Sequence, residues 1–196
     1  MSPKIRVGVL SAGAWSVAVH IPELKKHPDV ELVVVTNQSI EMANKIKEMF
    51  GFESALDSWE KALEYKLDAV IVSSPPIAHE AMVIAALNAG AHVLCEKPFA
   101  LNGDSASRMI LASKKSDRAL LIGYGWPYTD IFSRVRDLIR EGLIGKVEFA
   151  NLGITCGIRE ILQGQSSDHS TSTGFLSEKQ TYLDPKIPGG GAIGTT

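Results

Sequence analysis

Apolar positions along this chain fall into two alternating patterns. Short runs rich in valine, isoleucine and leucine, bounded by Gly, Pro, Asn or Ser, are separated by stretches with helical spacing. Ile5–Leu10, Glu31–Thr36, Ala69–Ser73, His92–Cys95 and Leu120–Gly123 read as strands, with a shorter extended piece at Glu53–Ala55. Between them the pattern predicts a helix from Trp15 to about His27, broken or restarted by Pro22. A second helix spans Ile40–Phe50, with Ile40, Ala43, Ile46 and Met49 on one face and Gly51 as its C-terminal cap. Further helices are expected near Ser58–Tyr65, at Ile77–Ala89, at Asp104–Ser116 and at Thr129–Glu141. Lys61 stands where a capping box needs Glu or Gln, so the start at Ser58 is less sharply marked than the others. Strands this continuously apolar, alternating with helices, predict an α/β fold class with a doubly wound parallel sheet.

The pattern changes after Gly145. Lys146–Thr155 reads as one longer strand whose alternation suits a half-solvated antiparallel sheet. Gln163–Thr173 is polar and Ser-rich, as a loop or a disordered excursion is, and the chain closes on the glycine-rich stretch Pro188–Thr196. Two units are therefore expected: residues 1–123 as the doubly wound domain, and 124–196 as the beginning of an incomplete α+β domain.

Composition narrows the function. A formal net charge of -2 provides no electrostatic footprint for nucleic acid or for an acidic membrane surface. The start, Met-Ser-Pro-Lys-Ile-Arg-Val, lacks the apolar core of a signal peptide, and no run reaches a membrane-spanning length. Cys95 and Cys156 do not make a disulfide framework and read as small buried residues in a reducing compartment. The expectation is a cytoplasmic protein.

Four places carry candidate chemistry. The first is the turn Ser11-Ala12-Gly13-Ala14-Trp15, between a strand and a helix, with another strand about 20 residues on, as in the dinucleotide fingerprint. Its three glycine positions read Ser11, Gly13 and Ser16, and Gly13 is the one that lets a pyrophosphate approach the backbone. The second is Thr36-Asn37-Gln38-Ser39, where a carboxylate would hold an adenosine ribose. Neutral Asn37 removes the repulsion that a carboxylate exerts on a 2′-phosphate, which leans towards NADP, although no arginine stands beside it. Asn37 and Ser39 serve equally as turn and helix-cap residues. The third is Ser73-Ser74-Pro75-Pro76 with His79. Ser73, Ser74 and Pro75 stand either beside a nicotinamide ribose or at a helix start capped by Ser74. His79 lies either near the cleft or on the exposed first turn of that helix. The fourth, and the most telling, is Glu96-Lys97-Pro98. Ligands bind outside the carboxyl ends of parallel strands, and a lysine there can act as a general acid or base; otherwise it is an ordinary loop lysine.

With these residues in hand, the chain resembles the Gfo/Idh/MocA family of nicotinamide-dependent oxidoreductases. The resemblance rests on Val7–Ser16, Ser73–His79 and above all Ala91–Pro98. It continues through Ala119–Gly123, Phe132–Gly145 and Pro188–Gly191. It implies that Lys97 is the catalytic or substrate-orienting lysine and that Glu96 lies by the nicotinamide ribose. It places Ser11 through Trp15 around the pyrophosphate and Asn37 at the adenosine ribose. It implies NADP or NAD as cofactor, a sugar, cyclitol or related polyol as substrate, and a homo-oligomer. Hydride would pass between nicotinamide and a secondary carbinol carbon. Two other activities occur in the family: regulators that bind the dinucleotide without using it, and enzymes that cleave glycosides with a retained cofactor. The family's second-domain histidine follows the glycine-rich turn, so the 196 residues alone are expected to have little activity.

Overall fold

The structure, a computed structural model, describes residues 3–153. Six parallel strands form one sheet in the order β3-β2-β1-β4-β5-β6. The strands are β1 (Ile5–Leu10), β2 (Val30–Thr36), β3 (Ser54–Leu56), β4 (Ala69–Val72), β5 (His92–Cys95) and β6 (Leu120–Ile122). This is the doubly wound order in which the chain reverses direction beside β1, leaving a crevice at the carboxyl ends of β1 and β4. The expected fold class is the observed one.

Two apolar layers hold the sheet. On one face Val9, Leu32, Val35 and Ile71 pack with Val17, Ile21 and Ile46 from the helices that follow β1 and β2. On the other, Leu10, Val70, Val72 and Val93 pack with Met82, Val83, Ala86 and Leu87 of α4 (Pro76–Asn88) and Met109 of α5 (Gly103–Ser116). β2 crosses between the layers by a register shift: Val7 pairs with Leu32 but Gly8 pairs with Val34. The extra residue lets the consecutive Val33 and Val34 both enter the second layer.

The helices follow from local sequence. Gly51 ends α2 (Ile40–Phe50) in the left-handed conformation at φ 85°, and Ser39 caps its start by accepting from the Met42 N–H. The helix after β1 departs from the expectation in kind. It restarts at Pro22 without a gap: Ser16–His20 form one π-helical turn, and α1 (Ile21–Lys26) follows it with Pro22 in its first turn. Proline cannot donate to the carbonyl four residues back and crowds it, so the preceding turn widens and the Ile21 N–H reaches Ser16 O. The start at Ser58 is also better marked than the missing capping box suggests. Ser58 Oγ accepts from the Lys61 N–H at 3.3 Å and caps α3 (Trp59–Ala62) without help from a glutamate.

Two further expectations change. Ser74 is not the cap of α4: Pro75 occupies that position without a side-chain bond. Within the predicted strand Lys146–Thr155, the described residues 146–153 join no ladder, because no described strand lies alongside to pair with them. Preceding them, α6 (Asp130–Arg140) is amphipathic, and its apolar residues Ile131, Phe132, Val135 and Ile139 are not buried among the described residues. The loop at Gln163–Thr173, the stretch Pro188–Thr196 and Cys156 lie outside the described residues. Cys95 is buried, and burial raises its thiol pKa to about 12.

His79 is neither exposed nor at the surface of α4. Its ring is fully buried, with Nε2 2.8 Å from Ser74 O and Nδ1 3.2 Å from Phe99 O. Burial outweighs these hydrogen bonds and lowers its pKa, so the ring is neutral and carries one proton, which we place on Nε2 by the shorter distance. Through Nε2 His79 thereby holds the loop after β4, and the segment after Pro98 packs against its ring. Truncating it leaves a buried carbonyl without its donor and a side-chain-sized cavity. H79A should lower the unfolding free energy by about 2–4 kcal/mol in urea denaturation at neutral pH. A loss below about 0.5 kcal/mol, the range of an ordinary surface change, would remove His79 from the framework.

Candidate functional site

The ladder brings the candidate residues to one edge. Leu10, Val72, Cys95 and Ile122 stand in register across β1, β4, β5 and β6. The residues following them are held by the next rung: Ser73 N–H donates to Leu10 O at 3.0 Å, Glu96 N–H to Val72 O at 2.9 Å, and Gly123 N–H to Cys95 O at 2.8 Å. Ser11, Ser73, Glu96 and Gly123 thus emerge side by side at the carboxyl edge of the sheet.

The turn after β1 is held from the end of β2. Ser11 occupies the left-handed region at φ 54°, the conformation a glycine supplies at that place in the fingerprint. Its N–H donates to Thr36 Oγ1 at 2.8 Å, and the Ala12 N–H donates to Thr36 O at 2.7 Å. Asn37 Nδ2 donates to Ala12 O at 2.7 Å, while its Oδ1 accepts from the Ser39 N–H at 2.9 Å. Asn37 and Ser39 are therefore the turn and cap residues that sequence reasoning allowed, and Asn37 also braces the Ser11–Trp15 turn. A side chain built at Gly13 would meet nothing within 4 Å, so the backbone there lies open to a ligand. Ser16 is fully buried, as the small residue packing helix against sheet must be. Ala14 is half-buried and Trp15 exposed on the rim of this turn.

At the end of β4, Ser73 and Ser74 present buried hydroxyls that find no hydrogen-bond partner among the described residues, while Pro75 is exposed. A buried hydroxyl without a partner is costly, and donors and acceptors of this kind fit a ligand's ribose or carboxamide. An open glycine backbone, a helix N-terminus behind it and two unpaired hydroxyls on the adjacent strand together suit a nicotinamide dinucleotide.

Glu96 is the buried charge of the site. Its Oε1 lies 2.6 Å from His20 Nε2, and its Oε2 accepts from the Lys97 N–H at 3.0 Å. Burial opposes ionisation, but the bonds from His20 and the Lys97 amide outweigh it and hold the carboxyl below its usual range. A Cβ at Gly123 would stand 3.0 Å from Glu96 Oε1, so the carboxylate occupies the space that this glycine leaves. Lys97 follows with its side chain exposed at the rim, and the Lys97–Pro98 peptide is cis.

The structure places Ser11–Trp15, Asn37, Ser73–Pro75, Glu96 and Lys97 at the ends of the strands from which sequence reasoning took them. That reasoning missed His20 and Gly123. The signal for His20 was a lone imidazole in the apolar stretch Val17–Ile21, on the helix that leads away from the fingerprint turn. Among the described residues there is no group of acidic, histidine and cysteine side chains fit for a metal ion, and no helix long and apolar enough to cross a membrane.

The chain is similar to known proteins over the part that carries this edge. The chain is 33% identical over 143 residues to myo-inositol 2-dehydrogenase of Thermotoga maritima, covering 72% of this chain and 42% of that protein. It is 30% identical over 154 residues to a dTDP-3,4-didehydro-2,6-dideoxy-α-D-glucose 3-reductase of Streptomyces antibioticus, covering 79% of this chain and 47% of that one. The crystal structure of a 3-ketoreductase from Actinomadura kijaniata, in complex with NADP and TDP-benzene, superposes with a TM-score of 0.67 at 28% identity. That match covers 73% of this chain and 44% of the other. The chain thus spans rather less than half the length of these relatives. The family model for the oxidoreductases with an NAD-binding Rossmann fold matches residues 5–124, which include every candidate residue described above, and this chain belongs to that Gfo/Idh/MocA family.

Proposed function

We propose that this chain binds NADP or NAD and serves an oxidoreductase reaction at a secondary hydroxyl of a sugar, cyclitol or related polyol. The observation that carries this reading is Lys97: an exposed lysine anchored through its backbone to a buried carboxylate, at the carboxyl edge beside the fingerprint turn. The relatives, a cyclitol dehydrogenase and a nucleotide-sugar ketoreductase, support the substrate class.

The bound dinucleotide supplies a hydride acceptor or donor. The rest falls to the chain. Gly13 and the helix N-terminus at Trp15 and Ser16 receive the pyrophosphate through free backbone N–H groups. Asn37 stands at the adenosine ribose. Ser73 and Ser74 offer their hydroxyls at the nicotinamide end, with Pro75 shaping the wall and His79 fixing the loop from behind. Glu96 faces the nicotinamide ribose. Lys97 Nζ orients the substrate oxygen and takes up or returns its proton as the carbon changes oxidation state.

In this reading residues 1–123 are the dinucleotide-binding domain and 124–196 begin the substrate and oligomerisation domain. The protein is a cytoplasmic homo-oligomer, and the apolar residues of α6 that are not buried among the described residues support its association.

Two experiments test the proposal. Binding of NADPH and NADH is followed by nicotinamide fluorescence, and turnover at 340 nm with a panel of inositols and sugars. K97A should leave the dissociation constant within about threefold while lowering kcat by about 10²–10⁴, the range of a lost general acid–base group. Failure of the unmodified chain to bind either reduced dinucleotide would overturn the proposal. The neutral Asn37 generates the second prediction. N37D loses the amide bond to Ala12 O for either cofactor, so the ratio of the two affinities isolates the added charge. That ratio should move towards NADH by about tenfold or more, equivalent to about 1.4 kcal/mol of repulsion. An unchanged ratio would remove position 37 from the ribose site.

A further inference from the structure

The fingerprint turn and the Lys97 segment are joined by a contact between residues 76 positions apart. We infer that His20 is a positioning residue, holding Glu96 Oε1 from the widened turn of the first helix so that Glu96 Oε2 fixes the backbone of Lys97. This rests on the functional reading above and extends it to a residue that touches neither Lys97 nor, by that reading, the substrate.

Four observations carry the inference. The first is geometry. His20 Nε2 and Glu96 Oε1 are 2.6 Å apart, the short separation expected when a carboxylate is one of the partners. The two side chains are only 15% and 10% exposed, so solvent competes little for either. Secondly, the helix is modified where His20 needs it. The π-helical turn Ser16–His20 inserts a residue into the helical phase and ends on His20 itself; turns of this kind are frequent at functional sites. Without the insertion, position 20 would be rotated about 100° around the helix axis. Thirdly, the carboxylate is used at both ends. Oε1 faces the imidazole, and Oε2 accepts the Lys97 N–H at 3.0 Å. Lastly, Gly123 on the neighbouring strand leaves room for this arrangement, since a methyl group there would stand 3.0 Å from Oε1.

These contacts make a chain of rigid steps from the first helix to the reacting edge. The helix that presents its N-terminus to the pyrophosphate carries His20; His20 holds Glu96; Glu96 holds the amide of the residue that does the chemistry. Ordering of the Ser11–Trp15 turn by a bound dinucleotide is thereby felt at Lys97. His79 packs against the far side of the same segment and takes no part in this chain of bonds.

A histidine that merely filled space would be replaced without penalty by a leucine. The test therefore sets H20L against H20Q, because a glutamine side chain can still donate an N–H to the carboxylate. Amide hydrogen exchange is measured on the full chain, along with the affinity for NADPH. In H20L the Lys97 amide should exchange about tenfold faster, the size of one hydrogen bond to a charged group, while Val70 and Val93 in the central ladder stay protected. NADPH affinity should fall by a similar factor, and H20Q should recover most of both effects. If the Lys97 amide and the affinity stay within twofold of the unmodified chain in H20L, the inference is overturned. If H20L loses protection at Val70 as well, the fold has been damaged, and G123A decides in its place. The added methyl should displace the Glu96 carboxylate and accelerate exchange at Lys97; an unaltered amide there also overturns the inference. Absence of NADPH binding by the unmodified chain would sink the functional proposal alone, since the exchange at Lys97 still decides the role of His20.

Discussion

The register of four parallel strands is the constraint on which the site depends. Leu10, Val72, Cys95 and Ile122 end level, so the next residues of β1, β4, β5 and β6 share one edge. A one-residue slip of β5 against β4 would turn Glu96 to the opposite face and carry Lys97 away from the crevice. Hydrogen bonds alone hold such a register weakly, because evenly spaced parallel bonds can be remade after a shift. The side chains forbid it. Val9 and Ile71 pack on one face while Leu10, Val70, Val72 and Val93 pack on the other, and a slip would send each into the wrong layer. The apolar interior is thus what places the polar edge.

That edge carries groups which burial opposes. Glu96, His79, Ser16, Ser74 and Thr36 are all buried although polar. A buried polar group left without a partner costs about 1–3 kcal/mol, more when charged, and the chain meets this in three ways. Thr36 and His79 bind backbone groups and so become part of the framework. Glu96 is paired on both oxygens, and those bonds outweigh its burial. Ser73 and Ser74 are left without partners among the described residues, beside the open backbone of Gly13. The Ser16 hydroxyl likewise finds no partner among the described residues, so the paired groups are those that brace the backbone of the edge and the unpaired ones are serine hydroxyls beside it.

Much of this was legible in the sequence because it depends on local patterns. Apolar runs with turn residues at their ends located the strands, and Gly51 and Ser39 bounded α2 as read. Lys97 could be placed because a strand that stops at Glu-Lys-Pro exposes its next residues at the carboxyl edge. What was not legible depends on partners far away in the chain. His20 looks like any helical histidine until β5 arrives beside it, and a helical wheel drawn at 3.6 residues per turn puts it at the wrong angle, because the π-helical turn shifts the phase. His79 was read as a surface possibility because it lies in a first helical turn, but the segment after Pro98 folds over it. Gly123 carries no signal at all until the position of the Glu96 carboxylate is known.

The departures from the glycine fingerprint resolve in the same terms. Its first glycine is required for a backbone conformation, and a residue with a Cβ in the left-handed region costs about 1–2 kcal/mol. Ser11 adopts that conformation, and the bonds from its own N–H to Thr36 Oγ1 and from the Ala12 N–H to Thr36 O brace the turn against the cost. A third brace comes from Asn37 Nδ2 to Ala12 O, where an aspartate could not donate. The last fingerprint glycine is required for close packing, and Ser16 is small enough to be buried there. Only the middle position must leave the backbone bare for a phosphate, and it alone remains glycine. The loss of two glycines and the presence of Asn37 are therefore connected: the side chain at the end of β2 that forgoes a carboxylate is one of those that let serine stand where the fingerprint has glycine.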